Sequence, residues 1–429
     1  MRTLAIALAL AATTATAQTL AVTHAEAWTM EGPQPVHDAT VLVENGRILS
    51  VVAGGAAPAG AIVIDAHGKP VTPGFVNGAT QIGLIEVRSA SDTRDDSSAD
   101  DRNPEFSPAR ALNGRSTLVS LARADGMTRA LVYPSPSRHP VFSGEPVIAR
   151  LREGLDILDR ADVAVYATIG GGAWGKLGSR AQQWTVLRMA LADAKRGIAP
   201  HEQDGKGGRR HRGAGPSPDR GAGPSLESGR PGKDFLSAVL AREVPLAIQT
   251  NRESDIVQAI AIARDFDIRI VIVGAGDAWR LADALAAAKI GVVLDPQANL
   301  PYSFDQLSTR QDAAAILTRA GVTVAIGLAG GSIHMNYNAG MALREGAGIA
   351  VANGLPYLDG LRTVTVNPLA IWGRGGGSLA PGSDADLVVW DGDPLEPSTN
   401  AVAVVIEGKQ VSTQSRQDLL AERYRDARP

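Results

Sequence analysis

The stretch Val63-Ile64-Asp65-Ala66-His67-Gly68-Lys69-Pro70-Val71-Thr72-Pro73-Gly74-Phe75-Val76 divides the chain into two parts with different sequence patterns. Pro73-Gly74 predicts a tight turn within it, because proline fixes its φ angle. Short β-branched segments precede this turn, whereas apolar strands separated by helical stretches follow it. The turn therefore marks the passage from a small sheet to a larger α/β unit.

Short strands are predicted near both ends of the chain. They are Leu20 to His24, Val41 to Glu44 and Ile48 to Val52 before the turn, and Ala385 to Trp390 and Val402 to Glu407 near the C-terminus. Gly46 and Gly408 provide hairpin turns, since glycine accepts a positive φ. Both ends of the chain therefore contribute β structure.

Between these ends, seven apolar strands alternate with helical stretches. The predicted strands are Phe75-Val76, Ala130 to Tyr133, Val163 to Thr168, Pro245 to Gln249, Arg269 to Val273, Gly291 to Leu294 and Val322 to Ile326. Ile256 to Arg264 and Ala278 to Ala288 have the 3.6-residue spacing of helices. The alternation predicts a parallel α/β sheet, most simply a TIM-like (β/α)8 barrel whose eighth strand the pattern does not place.

The first 17 residues have the features of a cleaved secretory signal peptide. Arg2 precedes an apolar run from Leu4 to Ala12, and Ala15-Thr16-Ala17 provides a cleavage site. The run is too short for a membrane span, which needs about 20 apolar residues. We therefore expect a periplasmic or secreted bacterial protein without a membrane span.

The composition limits the partners and cofactors. Hydrophobic residues make up 44% and charged residues 20% of the chain, as in globular proteins. The formal net charge of -3 argues against binding to nucleic acid or to an anionic membrane. Cysteine is absent, so a metal ion would need nitrogen and oxygen ligands.

Residues 63–76 resemble the start of the barrel in the amidohydrolase superfamily, in particular its imidazolonepropionase-like branch. Val366-Asn367-Pro368-Leu369-Ala370 and the segment from Gly377 to Trp390 resemble the end of that barrel and the return of the chain to the small sheet. The resemblance implies that the two chain ends form one composite β-sandwich domain beside the barrel. It also implies a hydrolase that acts on carbon–nitrogen bonds other than peptide bonds.

These patterns predict a domain organisation. After the signal peptide, residues 18–72 form the N-terminal part of the composite β domain, residues 73–370 the barrel, and residues 371–429 the C-terminal part with a tail. An insert at about 201–233 is rich in Gly, Pro and Arg and repeats its own sequence. Such a segment buries too little apolar surface to fold, so it is predicted to be disordered.

The resemblance also implies a divalent metal, usually zinc, that activates a water molecule. In active relatives the first barrel strand ends in Asp-x-His-x-His, but here Ala79 and Gln81 stand at the two histidine positions. Gln249 and Gly274 stand where further histidines are expected, and residues 327–331 contain no aspartate. No metal cofactor is therefore expected, unless a rearranged site holds zinc.

Few other groups could carry chemistry. His334 and Asp277 follow barrel strands and are weak catalytic candidates, while Asp295 is equally well explained as a turn residue before Pro296. Neutral polar residues are predicted to line a ligand pocket; they are Thr80, Gln81, Gln249, Thr250, Asn251 and Asn299. Such groups recognise ligands through hydrogen bonds, although they could equally fill a vestigial cavity with water.

Two functions remain open at this point. The first is an amidohydrolase-superfamily hydrolase whose catalysis is altered or lost. The alternative is a non-catalytic periplasmic protein that binds a small molecule or a partner, either a second copy of itself or an active paralogue. Because every expected ligand position is changed, the chain is a candidate pseudoenzyme.

Overall fold

The computed structural model describes most of the chain. The described residues are 19–97, 106–135, 141–171, 178–197, 235–298, 301, 303–328 and 337–425. The predicted signal peptide, residues 1–17, and the predicted disordered insert, residues 201–233, lie outside these ranges. Both remain predictions.

Strands occur at both ends and through the middle of the described chain. In chain order they are β1 (Thr19–Ala27), β2 (Val36–Glu44), β3 (Arg47–Ala53), β4 (Ile62–Asp65), β5 (Pro70–Pro73), β6 (Phe75–Thr80), β7 (Met127–Val132), β8 (Phe142–Gly144), β9 (Val147–Arg150), β10 (Leu158–Arg160), β11 (Val165–Thr168), β12 (Leu246–Thr250), β13 (Ile270–Gly274), β14 (Gly291–Leu294), β15 (Val324–Ile326), β16 (Leu387–Trp390), β17 (Ala401–Ile406) and β18 (Lys409–Val411).

Helices follow most of the middle strands. They are α1 (Thr117–Ala124), α2 (Arg180–Lys195), α3 (Phe235–Leu240), α4 (Glu253–Phe266), α5 (Ala282–Ala287), α6 (Ala313–Arg319), α7 (Ala339–Ala352), α8 (Tyr357–Thr363), α9 (Val366–Ile371) and α10 (Arg416–Arg425). A 3₁₀ helix, Ala278–Leu281, precedes α5 and occupies the first part of the second predicted helix. Within the described ranges, no helix has the length and apolar character to cross a bilayer.

The two chain ends form one β domain, as predicted. β16 from the C-terminal part pairs antiparallel with β5, and β5 pairs with β1 from the N-terminal part. Hydrogen bonds connect all eight strands of this domain into a single sheet. The sheet bends so far that the turn at Gly46 meets the turn at Gly408, and its concave face encloses a separate apolar core.

The barrel contains all seven predicted strands, and they are parallel. β6 pairs with β7, and β11 to β15 pair in sequence order. β15 also lies next to β6, since Leu328 N donates a hydrogen bond of 2.7 Å to Ala79 O just beyond both strands. Gly78 permits this close approach, because a Cβ atom there would lie 2.8 Å from the carbonyl oxygen of Ile326.

An antiparallel segment occupies the remaining place in the ring. β8 pairs antiparallel with β11, and β9, which follows after two residues, pairs antiparallel with β7. The segment therefore joins the two groups of parallel strands and runs in the opposite direction to them. A helical crossover is needed only between parallel strands, so the antiparallel segment requires none after β7.

Alternate residues of the barrel strands face opposite sides. In β14, Val292 and Leu294 belong to the large core shared with the helices, whereas Val293 belongs to a second cluster inside the barrel. Val273 and Ala325 from the neighbouring strands lie in the same interior cluster. The barrel is therefore packed with side chains along most of its length.

Charged side chains fill the space between the floor of the barrel and the β domain. Arg129 of β7 and Arg150 of β9 are almost fully buried, and each pairs with Asp384, which lies just before β16. Arg129 also lies 3.0 Å from Asp386, and Arg150 lies 2.5 Å from Glu407. These contacts, which we call the floor network, connect barrel strands to the C-terminal strands of the β domain.

Asp386 is the most deeply buried carboxylate of this network. Burial raises its pKa to about 6, although Arg150 acts in the opposite direction. A carboxyl whose pKa is higher in the folded than in the unfolded chain binds protons more readily when folded. Its ionisation therefore reduces stability as the pH rises from about 4 to about 6.

We predict that Arg129→Met lowers the free energy of unfolding by about 3–5 kcal/mol at pH 7, because it removes one of the two buried cations that neutralise Asp384 and Asp386. The loss should be smaller at pH 5, where Asp386 is largely protonated. Arg47→Met is the matched control, since Arg47 pairs with the same Asp384 but its side chain is 60% exposed. It should cost at most about 1 kcal/mol. Equal losses for the two variants in urea unfolding would contradict a structural role for the floor network.

Candidate functional site

Parallel strands end at the same side of a barrel, and this side, the mouth, is where barrel enzymes hold their substrates. The residues predicted to replace metal ligands all lie at this side. Ala79 is in β6 and Gln81 just after it, Gln249 is in β12, and Gly274 ends β13.

Gln81 is buried and takes part in three side-chain hydrogen bonds. Its Nε2 atom donates to the hydroxyl of Ser135 at 2.6 Å and, at 3.4 Å, to Asp96. Its Oε1 atom accepts a hydrogen bond of 2.7 Å from the guanidinium group of Arg88. At the position of a metal-binding histidine, the chain therefore has a neutral amide that faces a positive charge.

Arg88 was not singled out in the sequence, because it lies in a loop without a readable motif. Its side chain forms no ion pair with any described residue, and its buried Nε atom has no hydrogen-bond partner in the described ranges. Burial raises the pKa of the Tyr133 hydroxyl, and the positive charge of the Arg88 guanidinium lowers it. Arg88 therefore places a cation at the mouth whose remaining N–H groups can donate further hydrogen bonds.

Two stacked tyrosines lie beside this cation, and the sequence did not indicate them. The rings of Tyr133 and Tyr166 are parallel within 14°, and their centroids are 4.9 Å apart. The hydroxyl of Tyr166 donates to Oε1 of Gln249 at 3.3 Å. Gln249 thus orients an aromatic side chain instead of holding an ion.

Asn251 and Asp277 have structural roles. The Oδ1 atom of Asn251 accepts a hydrogen bond of 3.2 Å from the backbone N–H of Gly276, which connects the loops after β12 and β13. The Oδ2 atom of Asp277 accepts one of 3.2 Å from the N–H of Glu253, the first residue of α4. Asp277 therefore caps a helix from a neighbouring loop, although burial raises its pKa.

Thr80, Thr250 and Asp295 present polar atoms that have no partner. The hydroxyls of both threonines are buried without a hydrogen bond to any described residue, and so is the Oδ2 atom of Asp295. Buried polar atoms are normally satisfied by protein, water or ligand. The other two predicted residues, Asn299 and His334, lie outside the described ranges.

The described residues do not fit a divalent metal at this site. Ala79 and Gly274 offer no side-chain donor, and the amide oxygens of Gln81 and Gln249 are already engaged by Arg88 and Tyr166. In the part of the chain that the structure describes, no three His, Cys, Asp or Glu side chains are grouped so that they could hold a metal ion. Among the described residues, the mouth instead combines the guanidinium of Arg88, the buried carboxyls of Asp96 and Asp295, and two aromatic rings.

Asp277→Ala should lower the free energy of unfolding by about 1 kcal/mol, because the first N–H of α4 loses its acceptor. Urea unfolding measures this change. Asp283→Ala is the control, since Asp283 is exposed in the first turn of α5, and it should cost no more than about 0.5 kcal/mol. If Asp277→Ala left stability unchanged, the capping role would be wrong.

Residues 262–411 match the Amidohydrolase family in sequence. No curated protein matches the chain in the corresponding search. The family match begins in α4 and ends with β18, so it includes the last three barrel strands, β13 to β15, and the return to the β domain.

Solved structures share the fold over most of the chain. An amidohydrolase from Thermotoga maritima MSB8 is 24% identical, with a TM-score of 0.76 over 92% of this chain and 100% of its own. A 5-methylcytosine deaminase from Klebsiella pneumoniae, liganded with 5-fluorocytosine, is 14% identical, with a TM-score of 0.58 over 92% and 98%. An adenosine deaminase from Xanthomonas campestris with bound zinc is 17% identical, with a TM-score of 0.53 over 95% and 98%.

These likenesses establish an α/β barrel with an additional domain as the fold. Structural similarity at sequence identities of 14–24% shows the fold alone. The match of residues 262–411 to the Amidohydrolase family is a similarity in sequence. The chain therefore resembles amidohydrolases in sequence over residues 262–411 and in fold over most of its length.

Proposed function

We propose that this chain binds a small carboxylate-bearing molecule at the mouth of its barrel and does not carry out metal-dependent hydrolysis. The contact between Arg88 and Gln81 is the observation that carries the proposal. It favours the binding role over a hydrolase with altered catalysis.

The charge of Arg88 supports an anionic ligand. A guanidinium has five N–H donors in a planar arrangement that matches a carboxylate. One of these donors is used by Gln81, and no described carboxylate pairs with the group. A divalent cation beside the same guanidinium would be repelled, whereas an anion would be attracted.

The amides and rings around Arg88 support recognition of a ligand. Gln81 is held in place by Ser135, so the acceptor that orients the guanidinium is itself fixed. The stacked pair Tyr133–Tyr166 offers a rigid apolar wall at the same side. Small-molecule sites commonly combine such a wall with a few fixed polar groups.

We also propose that binding takes place in the periplasm, because the first 17 residues have the features of a signal peptide.

Metal content provides the first test. Protein purified without chelator is expected to contain far less than one zinc per chain in elemental analysis, and added Zn²⁺ is expected to leave its thermal unfolding unchanged. Tightly bound, stoichiometric zinc would contradict the proposal. It would favour hydrolysis at a rearranged site that includes residues outside the described ranges, such as His334.

Arg88→Gln provides the second test, with N-acetylglycine as the probe ligand. The variant is expected to weaken binding by about 10- to 100-fold, because a hydrogen bond to a charged group contributes about 1.5–3 kcal/mol. Titration followed by ligand-observed NMR measures the dissociation constants. Arg264→Gln is the control, since the Arg264 side chain is 78% exposed on α4. Equal binding by both variants would contradict the role of Arg88.

A further inference from the structure

Asp295 follows β14 and faces the inside of the barrel. Val293, two residues earlier, belongs to the interior cluster, and side chains of a strand alternate between its two faces. Asp295 itself is only 6% exposed. A buried carboxyl group therefore lies at the inner end of the mouth.

The two oxygen atoms of this carboxyl differ in their contacts. Oδ1 accepts hydrogen bonds from the backbone N–H groups of Gln297 at 3.1 Å and Ala298 at 3.3 Å. These two bonds explain Asp295 as a turn residue, as the sequence suggested, and they fix the orientation of the side chain. Oδ2 is buried and has no hydrogen-bond partner among the described residues.

Among the described residues, no cation pairs with this carboxyl. Burial raises its pKa to about 6, and the opposing contributions come only from the two backbone N–H groups. Asp295 is therefore mostly ionised at pH 7. An ionised oxygen that is buried without a partner is costly, so a donor that reaches it gains more than it would in water.

Asp295 and Arg88 lie around the same tyrosine hydroxyl. Both act on the pKa of Tyr133, which Asp295 raises and Arg88 lowers, and Asp96 near Arg88 raises it as well. Within the described ranges, the Tyr133 hydroxyl, in the loop after β7, is the titratable group on which Asp295 acts. The guanidinium and the carboxylate therefore lie near the same hydroxyl at the mouth.

We infer that Asp295 is the second ligand-binding group of the mouth and that it accepts a hydrogen bond from an N–H group of the ligand. The inference rests on the proposed function, because it concerns the same ligand. An amide or ring N–H fits better than an ammonium group, since Oδ2 is buried and a second buried charge would have to be desolvated. The ligand class is thus a small carboxylate that carries a neutral N–H group.

Two probes that differ in one group test this inference. N-acetylglycine has a carboxylate and an amide N–H, whereas N-acetylsarcosine has the same carboxylate and an N-methyl group. The unmodified protein is expected to bind N-acetylglycine about tenfold more tightly at pH 7.5, because the methylated probe leaves Oδ2 unpaired. The preference should decline below pH 6, where Oδ2 becomes protonated and donates instead of accepting, while the probe carboxylates stay ionised.

Asp295→Asn is the decisive variant. Asparagine keeps an oxygen for the N–H groups of Gln297 and Ala298 but places an NH₂ group where Oδ2 lies. The variant is expected to fold, to lose the preference for N-acetylglycine, and to show no change in relative affinity near pH 6. Asp283→Asn, at an exposed position, is the control and should keep both the preference and its pH dependence.

The outcomes separate the inference from the proposed function. If the unmodified protein binds both probes equally, or if Asp295→Asn keeps the preference, the inference about Asp295 is wrong while carboxylate binding stands. If neither probe binds, the proposed function is wrong and the inference falls with it. A preference that disappears in Asp295→Asn and persists in Asp283→Asn supports both.

Discussion

The buried arginines at the floor of the barrel are the constraint on which the rest of the structure depends. Arg129 and Arg150 come from the barrel, and apart from Asp159 of β10 the carboxylates that neutralise them come from the C-terminal part of the β domain. Neither set is stable in a buried position without the other. The barrel can therefore close its floor only when the two chain ends have assembled into one sheet, which couples the folding of the two units.

The side chains at the mouth are held in place differently from those at the floor. The strand ends bring side chains from distant parts of the chain to one place, and in this chain those side chains are an arginine, two aspartates, two amides and two tyrosines. The positive charge at this place comes from the guanidinium of Arg88, which is fixed through Gln81. The negative charges come from Asp96, which also contacts Gln81, and from Asp295, whose position depends on two backbone N–H groups. These charges are thus held by short local contacts.

The sequence predicted the seven parallel strands and the joining of the two ends, because apolar periodicity and the flanking turns are local signals. It did not place the eighth strand, since the residues of β8 and β9 carry no mark of their direction. It also identified Gln81 and Gln249 but not Arg88 or Tyr133. Their importance comes from neighbours that are distant in sequence, and no spacing rule encodes such contacts. Asp295 was recognised as a turn residue, and its unpaired oxygen became visible only in the folded chain.

The antiparallel segment β8–β9 has a consequence for how the two ends of the barrel evolve. It begins beside the mouth at Phe142 and finishes at Arg150 in the floor network, so a single stretch of nine residues belongs to both. Elsewhere in the barrel, the ligand-facing loops can change in sequence without altering the floor network. Along this segment an insertion or deletion would shift a charged residue out of its buried place. Sequence drift at the mouth should therefore be freest on the side of β12 to β15 and most restricted next to β8.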